Sequence, residues 1–210
     1  FNCEVLGAVL HFPYLGERIG VPARVGEATL ETDPPLDMAG VPVVALAGTC
    51  MDSGKTAAAC AIVSRLRHLG KTVAACKATG VSLRRDILAM QDAGAGAAMI
   101  FSDLGIVTTT AANGPPLTRT LLSRLAAGRP DVIVLELGDG RLGSYGVEAI
   151  LTDSAIRGAL TAVALCANDP VAAWGGARIL REQHAIEPAV VTGPATDNAV
   201  GVEQIESRLE

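Results

Sequence analysis

Short apolar runs recur from residue 41 onward, each closed by Gly, Asp, Asn or Pro, and most are followed by a stretch of helical period. The runs predict strands over Val43–Ala47, Lys71–Lys77, Gly105–Thr110, Asp131–Leu137, Thr161–Ala167 and Ala189–Thr192. Helical spacing is predicted over Lys55–Leu69, around Asp86–Ala93, and over Pro115–Ala127, Pro170–His184 and Asp197–Leu209. In the first helix Ala59, Ile62, Val63, Leu66 and Leu69 share one face, with Gly70 as a natural C′ residue. Strands alternating with helices imply an α/β fold with a doubly wound, mostly parallel sheet.

Residues 1–40 break this pattern. They hold four prolines, several glycines and no helical period, and read as short strands and turns with Asp33-Pro34-Pro35 as a linker. The expected organisation is an N-terminal arm, or the remnant of an upstream domain, over 1–40 and a nucleotide-binding domain over 41–210. The chain begins at Phe1 rather than Met, which leaves an upstream targeting segment open.

The strongest chemical signal is VVALAGTCMDSGKT, residues 43–56. A buried strand runs into a small-residue loop, and a helix opens at Gly54-Lys55-Thr56. Backbone N–H groups at the loop and helix start, with the helix dipole, make an anion site. Gly54 admits a phosphate closely, Lys55 reaches the β and γ phosphates, and the Thr56 hydroxyl is placed for Mg²⁺. The first glycine is Gly48, with Thr49 after it, one residue earlier than the usual phosphate-loop spacing. A chance match of Gly-Lys-Thr in a small-residue loop is the bland alternative.

Other polar residues fall at strand ends. Glu136 closes the apolar run Asp131–Leu137 and is followed by Gly138-Asp139-Gly140. With Asp52 in the loop it supplies carboxylates for Mg²⁺, at the sheet edge where open α/β sheets bind ligands. Lys77 ends the second strand and either neutralises an acidic substrate or is a solvated strand-end lysine. Arg84 and Arg85 are either a second carboxylate grip or a solvated helix face.

Composition narrows the class. Half the residues are apolar, yet there are only one Trp, two Tyr and three Phe, so Ala, Val, Leu and Ile must build the core. A net charge of −5 without a Lys/Arg cluster argues against a nucleic-acid partner, and no apolar run is long enough for a membrane span. Five dispersed cysteines without C-x-x-C spacing read as reduced thiols, and hence a cytoplasmic protein.

Taken together, these motifs resemble dethiobiotin synthetase, a P-loop NTPase of the SIMIBI type. GTCMDSGKT is similar to that family's longer phosphate loop. CKATG (Cys76–Gly80) is similar to its lysine segment, LELGDG (Leu135–Gly140) to its acidic segment, and ANDP (Ala167–Pro170) to the segment that reads adenine. The resemblance spans roughly Val41 to Pro194. It implies ATP and Mg²⁺ as cofactors, and Gly48, Thr49, Ser53, Gly54, Lys55 and Thr56 around the phosphates. Asn168 with the Gly193-Pro194 loop would hold the base, and Thr56, Asp52 and Glu136 the metal. Lys55, Lys77, Asp52 and Glu136 would carry catalysis on a small acidic metabolite, in a homodimer. Cys50, Ala78, Leu137 and Arg141 depart from the family pattern near its diaminopelargonate pocket, which points to a different acceptor. Residues 77–110 are similar to a second bacterial group, in which a Rossmann-like domain precedes a P-loop domain and some members are linked to amino-acid modification.

Three functions follow. The first is an ATP- and Mg²⁺-dependent, ligase-like enzyme that phosphorylates a carboxylate or carbamate. The second is a nucleotide switch acting through protein partners; its partitioning-ATPase branch carries an extra loop lysine where Cys50 stands here. The third, a dinucleotide-binding module, lacks the G-x-G-x-x-G it needs after the first strand.

Overall fold

The computed structural model describes residues 2–209 except 15, 17 and 27–29. Eight strands and seven α-helices are found among them. Strands β1 (Leu10–His11) and β2 (Val21–Pro22) form a small antiparallel pair in the arm. Positions 15, 17 and 27–29 of the arm, read as strands and turns, lie outside the described residues. The linker residues that follow are tied to the body: Arg119 donates to Asp33 at 2.6 Å and to the Pro34 carbonyl at 3.3 Å, and Asp37 N–H donates to Ser123 Oγ at 3.0 Å.

The remaining strands are β3 (Val43–Gly48), β4 (Val73–Lys77), β5 (Ala97–Ile100), β6 (Val132–Glu136), β7 (Leu160–Cys166) and β8 (Val190–Thr192). They form one parallel sheet in the order β5-β4-β6-β3-β7-β8. The helices are α1 (Lys55–His68), α2 (Arg85–Asp92), α3 (Gly114–Ala127), α4 (Val147–Thr152), α5 (Ser154–Ala159), α6 (Pro170–His184) and α7 (Ala199–Leu209). Connections from β3 through β5 step toward one edge, whereas those from β5 through β8 step toward the other. Right-handed crossovers therefore put α1 and α2 on one face and α3 to α6 on the opposite face. The adjacent strands β3 and β6 send their chains to opposite faces, which makes the gap beyond their carboxyl ends the switch point.

Central strands β4 and β6 are buried at every residue, which explains why they read as continuous apolar runs rather than alternations. The core is aliphatic, with Phe101 its one fully buried aromatic among the described residues.

The third strand is a correction. Gly105–Thr110 is not a strand; β5 is Ala97–Ile100, followed by a 3₁₀ turn at Phe101–Leu104. The β-branched Ile-Val-Thr-Thr-Thr run sits in a loop that meets 78–82 through an isolated bridge, Val81 to Thr108, and a few hydrogen bonds rather than a ladder. Leu69 is 59% exposed rather than on the buried face, because α1 ends at His68 and the chain turns at Gly70 (φ +76°).

Candidate functional site

The loop after β3 follows from its residue types. A Cβ on Gly48 would lie 2.5 Å from both Lys55 Nζ and Ser53 Oγ, so only glycine leaves room for the lysine to fold back over the loop. Asp52 (φ +57°) and Gly54 (φ +86°) take left-handed conformations, curling the backbone toward the start of α1. Lys55 is buried, with Nζ donating to the Cys50 carbonyl at 2.7 Å and to Ser53 Oγ at 3.3 Å. Burial pushes its pKa down, opposed chiefly by the charge of Glu136.

Leu46 of β3 is paired with Glu136 of β6, and the acid ends its strand beside the phosphate loop. Glu136 Oε1 accepts from Thr56 Oγ1 at 3.2 Å and lies 3.6 Å from Lys77 Nζ. Its Oε2 is buried without a hydrogen-bond partner. Burial raises the Glu136 pKa; Lys77 opposes this, and the charge of Asp86 adds to it. A buried carboxylate oxygen with no partner beside a threonine hydroxyl suits a hard divalent cation with oxygen ligands. Among the described residues no group of three or more His, Cys, Asp or Glu side chains converges, so any such ion must take most of its ligands from phosphate and water.

Lys77 is only 8% exposed, which removes the solvated reading. Its ammonium pairs with Asp86 at the first turn of α2 as well as with Glu136. Asp86 was absent from the sequence-predicted set. Nine residues after the lysine, it looks in sequence like an ordinary acid opening a helix, and only the β4–α2 connection brings it back onto the strand end.

These groups share one cavity of about 530 Å³ at the switch point. Lys55, Thr56, Gly54 and Asp52 line one end; Glu136, Asp139, Lys77 and Asp86 stand within it, and Gly80, Val81, Leu83, Arg85 and Tyr145 complete the wall. Asp52 is exposed, whereas Glu136 is buried. Arg85 is exposed against Asp86 at 3.7 Å, whereas Arg84 is engaged by Asp103 at 2.6 Å and does not line the cavity.

The loop after β6 rests directly on the phosphate loop. A Cβ on Gly140 would lie 2.6 Å from the Thr49 carbonyl, and Arg141 N–H donates to the Gly48 carbonyl at 3.0 Å. The Arg141 guanidinium turns away toward Gln183 and His184 of α6, so it does not add to the cavity's charge.

Asn168 lies outside the cavity, exposed, with its amide donating to Cys50 Sγ at 3.2 Å. Next to it, Gly193 (φ +98°) packs so closely that a Cβ would lie 2.4 Å from the Ser53 carbonyl, and Pro194 opens a 3₁₀ turn. Ala195 N–H donates to the Ala167 carbonyl at 3.0 Å, joining the two segments beside the phosphate loop.

No family model and no curated protein sequence matches the chain. Solved structures do. Hydrogenase maturation factor HypB from Archaeoglobus fulgidus superposes with a TM-score of 0.53 at 15% identity, over 81% of this chain and 76% of that one. The 54 kDa signal recognition particle protein from Aeropyrum pernix, in complex with GDP, gives 0.56 at 20% identity over 88% of this chain and 42% of its own. The fold is that of a P-loop NTPase. The kinase domain of the Escherichia coli tyrosine kinase ETK also shares it, at 0.50 and 16% identity, over 76% of this chain and 69% of that domain. This chain spans less than half the length of the signal recognition particle protein. At these identities the likeness is one of fold alone, and the residues themselves must carry any finer assignment.

Proposed function

We propose that this chain uses ATP and Mg²⁺ to phosphorylate a carboxylate or carbamate of a small acidic metabolite, in the manner of the dethiobiotin synthetase-like ligases. The observation that carries this reading is a second lysine, Lys77, buried in the same cavity as Lys55 and paired with Asp86 and Glu136. A nucleotide site alone has no need of a cation there. In this reading Gly48, Thr49, Ser53, Gly54 and Lys55 hold the phosphates, while Asn168 and the Gly193-Pro194 loop flank the base.

Thr56 and Glu136 would hold Mg²⁺, with Asp86 as a further carboxylate of the same cavity and Asp52 at its exposed end. The metal, when bound, neutralises charge on the β and γ phosphates. Lys77 orients the acceptor carboxylate in line with the γ-phosphorus. An acceptor oxygen forms the new P–O bond, the bond to the bridging β–γ oxygen breaks, and ADP leaves. The protein's contribution is alignment and charge neutralisation.

A nucleotide switch acting through protein partners is the second reading. It is supported by the likeness of fold to HypB and to the signal recognition particle protein. Cys50 in place of an early loop lysine counts against its partitioning-ATPase branch. We further propose a homodimer, from the dethiobiotin synthetase-like resemblance, and a cytoplasmic location, from the dispersed cysteines without C-x-x-C spacing. No helix among the described residues is long and apolar enough to cross a membrane.

The two readings separate by trapping. Incubation with Mg·ATP, hydroxylamine and a panel of small carboxylates should yield a hydroxamate from an acyl phosphate with one class of acid. Nucleotide turnover without hydroxamate from any acid favours the switch.

A further inference from the structure

Two loops bring Gly80 and Tyr145 to the cavity wall, 78–82 after β4 and 143–146 before α4, and a third, 105–110 before α3, joins them without lining the cavity. Little regular structure joins them. Beyond the bridge from Val81 to Thr108, Ser82 N–H donates to the Val107 carbonyl at 3.0 Å. The third loop is pressed onto the second at Gly146 (φ +91°), where a Cβ would lie 2.4 Å from the Thr110 carbonyl.

Thr109 sits at their junction, 2% exposed. Its N–H donates to the Gly80 carbonyl at 3.1 Å, and its Oγ1 accepts from Gly80 N–H at 2.9 Å. The same hydroxyl donates to the Tyr145 carbonyl at 2.8 Å. One side chain therefore uses both its acceptor and its donor to tie two loops to a third. Gly80 and Tyr145 line the cavity; Thr109 does not. An apolar residue of equal volume would leave the buried Gly80 N–H and the half-buried Tyr145 C=O without these partners.

The tie bears on Lys77. Gly80 turns at φ +124° so near the lysine that a Cβ there would lie 3.7 Å from Lys77 Cε. Moving Gly80 therefore changes the surroundings of the ammonium assigned to the acceptor, while the phosphate loop on the other side of β6 keeps its own contacts.

We propose that Thr109 is a positioning residue for the acceptor end. Through Gly80 and Tyr145 it fixes the wall against which the attacking group is aligned beside Lys77. The proposal rests on the phosphoryl-transfer reading given above, because alignment of an attacking group matters only there.

The test is calorimetric titration of Mg·ADP, alone and with aluminium fluoride, into wild type, Thr109→Val and Thr109→Ser. Aluminium fluoride with ADP imitates the phosphoryl group in flight with its in-line oxygen, so it probes the acceptor end without a known acceptor. Wild type should bind the fluoride complex at least about tenfold more tightly than Mg·ADP, as for a transition-state mimic. Thr109→Val should bind Mg·ADP within about twofold of wild type and lose most of that gain, and Thr109→Ser, which keeps the hydroxyl, should recover it. A valine variant that keeps the full gain overturns the proposal. So does one that weakens both complexes equally, or a serine variant that fails to recover, since either marks a merely structural residue. If wild type itself gains nothing from aluminium fluoride, the phosphoryl-transfer reading fails and the proposal falls with it.

Discussion

Lys77 Nζ stands 3.6 Å from Glu136 Oε1, the same oxygen that accepts from Thr56 Oγ1 at 3.2 Å. One carboxylate thus links the Thr56 hydroxyl to the Lys77 ammonium, the latter across the adjacent strands β4 and β6. Glu136→Gln keeps the shape and removes the charge. Wild type should bind ATP at least about tenfold more tightly with Mg²⁺ than without it, and the variant should keep only a smaller part of that gain, from phosphate, water and Thr56. Calorimetric titrations in Mg²⁺ and in EDTA check this.

The same group gives a pH dependence. Its folded pKa is raised by burial above the usual carboxylate value, so the folded state holds the proton more tightly than the unfolded state. Stability from this group is therefore greatest below the unfolded value of about 4.5 and falls as pH rises through the window up to the raised folded value. The melting temperature of wild type relative to Glu136→Gln should rise as pH is lowered from neutral toward that window. A difference that shrinks instead contradicts the burial argument.

Gly140→Ala places a methyl 2.6 Å from the Thr49 carbonyl, a backbone atom that cannot swing aside. The expected cost is about 1–3 kcal/mol of stability, with weaker nucleotide binding because the displaced segment is the phosphate loop. Gly70→Ala, at an exposed turn with φ +76° and nothing within 4 Å, should lower stability without that binding loss. Urea denaturation paired with ATP titration separates the two.

Asn168→Ala tests the base site. If the amide pairs with the adenine edge, its loss should cost ATP on the order of 1–3 kcal/mol and GTP less. An unchanged ATP:GTP preference places the base elsewhere.

The phosphate loop was legible because its signals are local: an apolar run, glycines where a Cβ cannot fit, and Lys-Thr opening a helix. Glu136 was legible because a charge closing a buried strand stands out. Other features were hidden for physical reasons. β5 is Ala-Ala-Met-Ile after an Ala/Gly run, too small in side chain to show a strand's character. The β-branched run Ile106–Thr110 mimicked a strand, although Thr109 is spent on loop-to-loop hydrogen bonds. Asp86 and the six-residue helices α4 and α5 depend on tertiary placement or are too short for periodicity to register.

The most direct measurement is ATP turnover of Lys77→Ala against wild type, over a panel of small carboxylates and amines, with ATP affinity measured in parallel. Removing the ammonium should leave ATP binding within about threefold of wild type, because Lys55 and the loop still hold the phosphates, while acceptor-stimulated ADP release falls by about a hundredfold or more. Lys55→Ala should do the reverse first, losing triphosphate affinity. If Lys77→Ala turns over ATP with the stimulating acceptor at the wild-type rate, Lys77 does not serve an acceptor and the ligase-like account is contradicted.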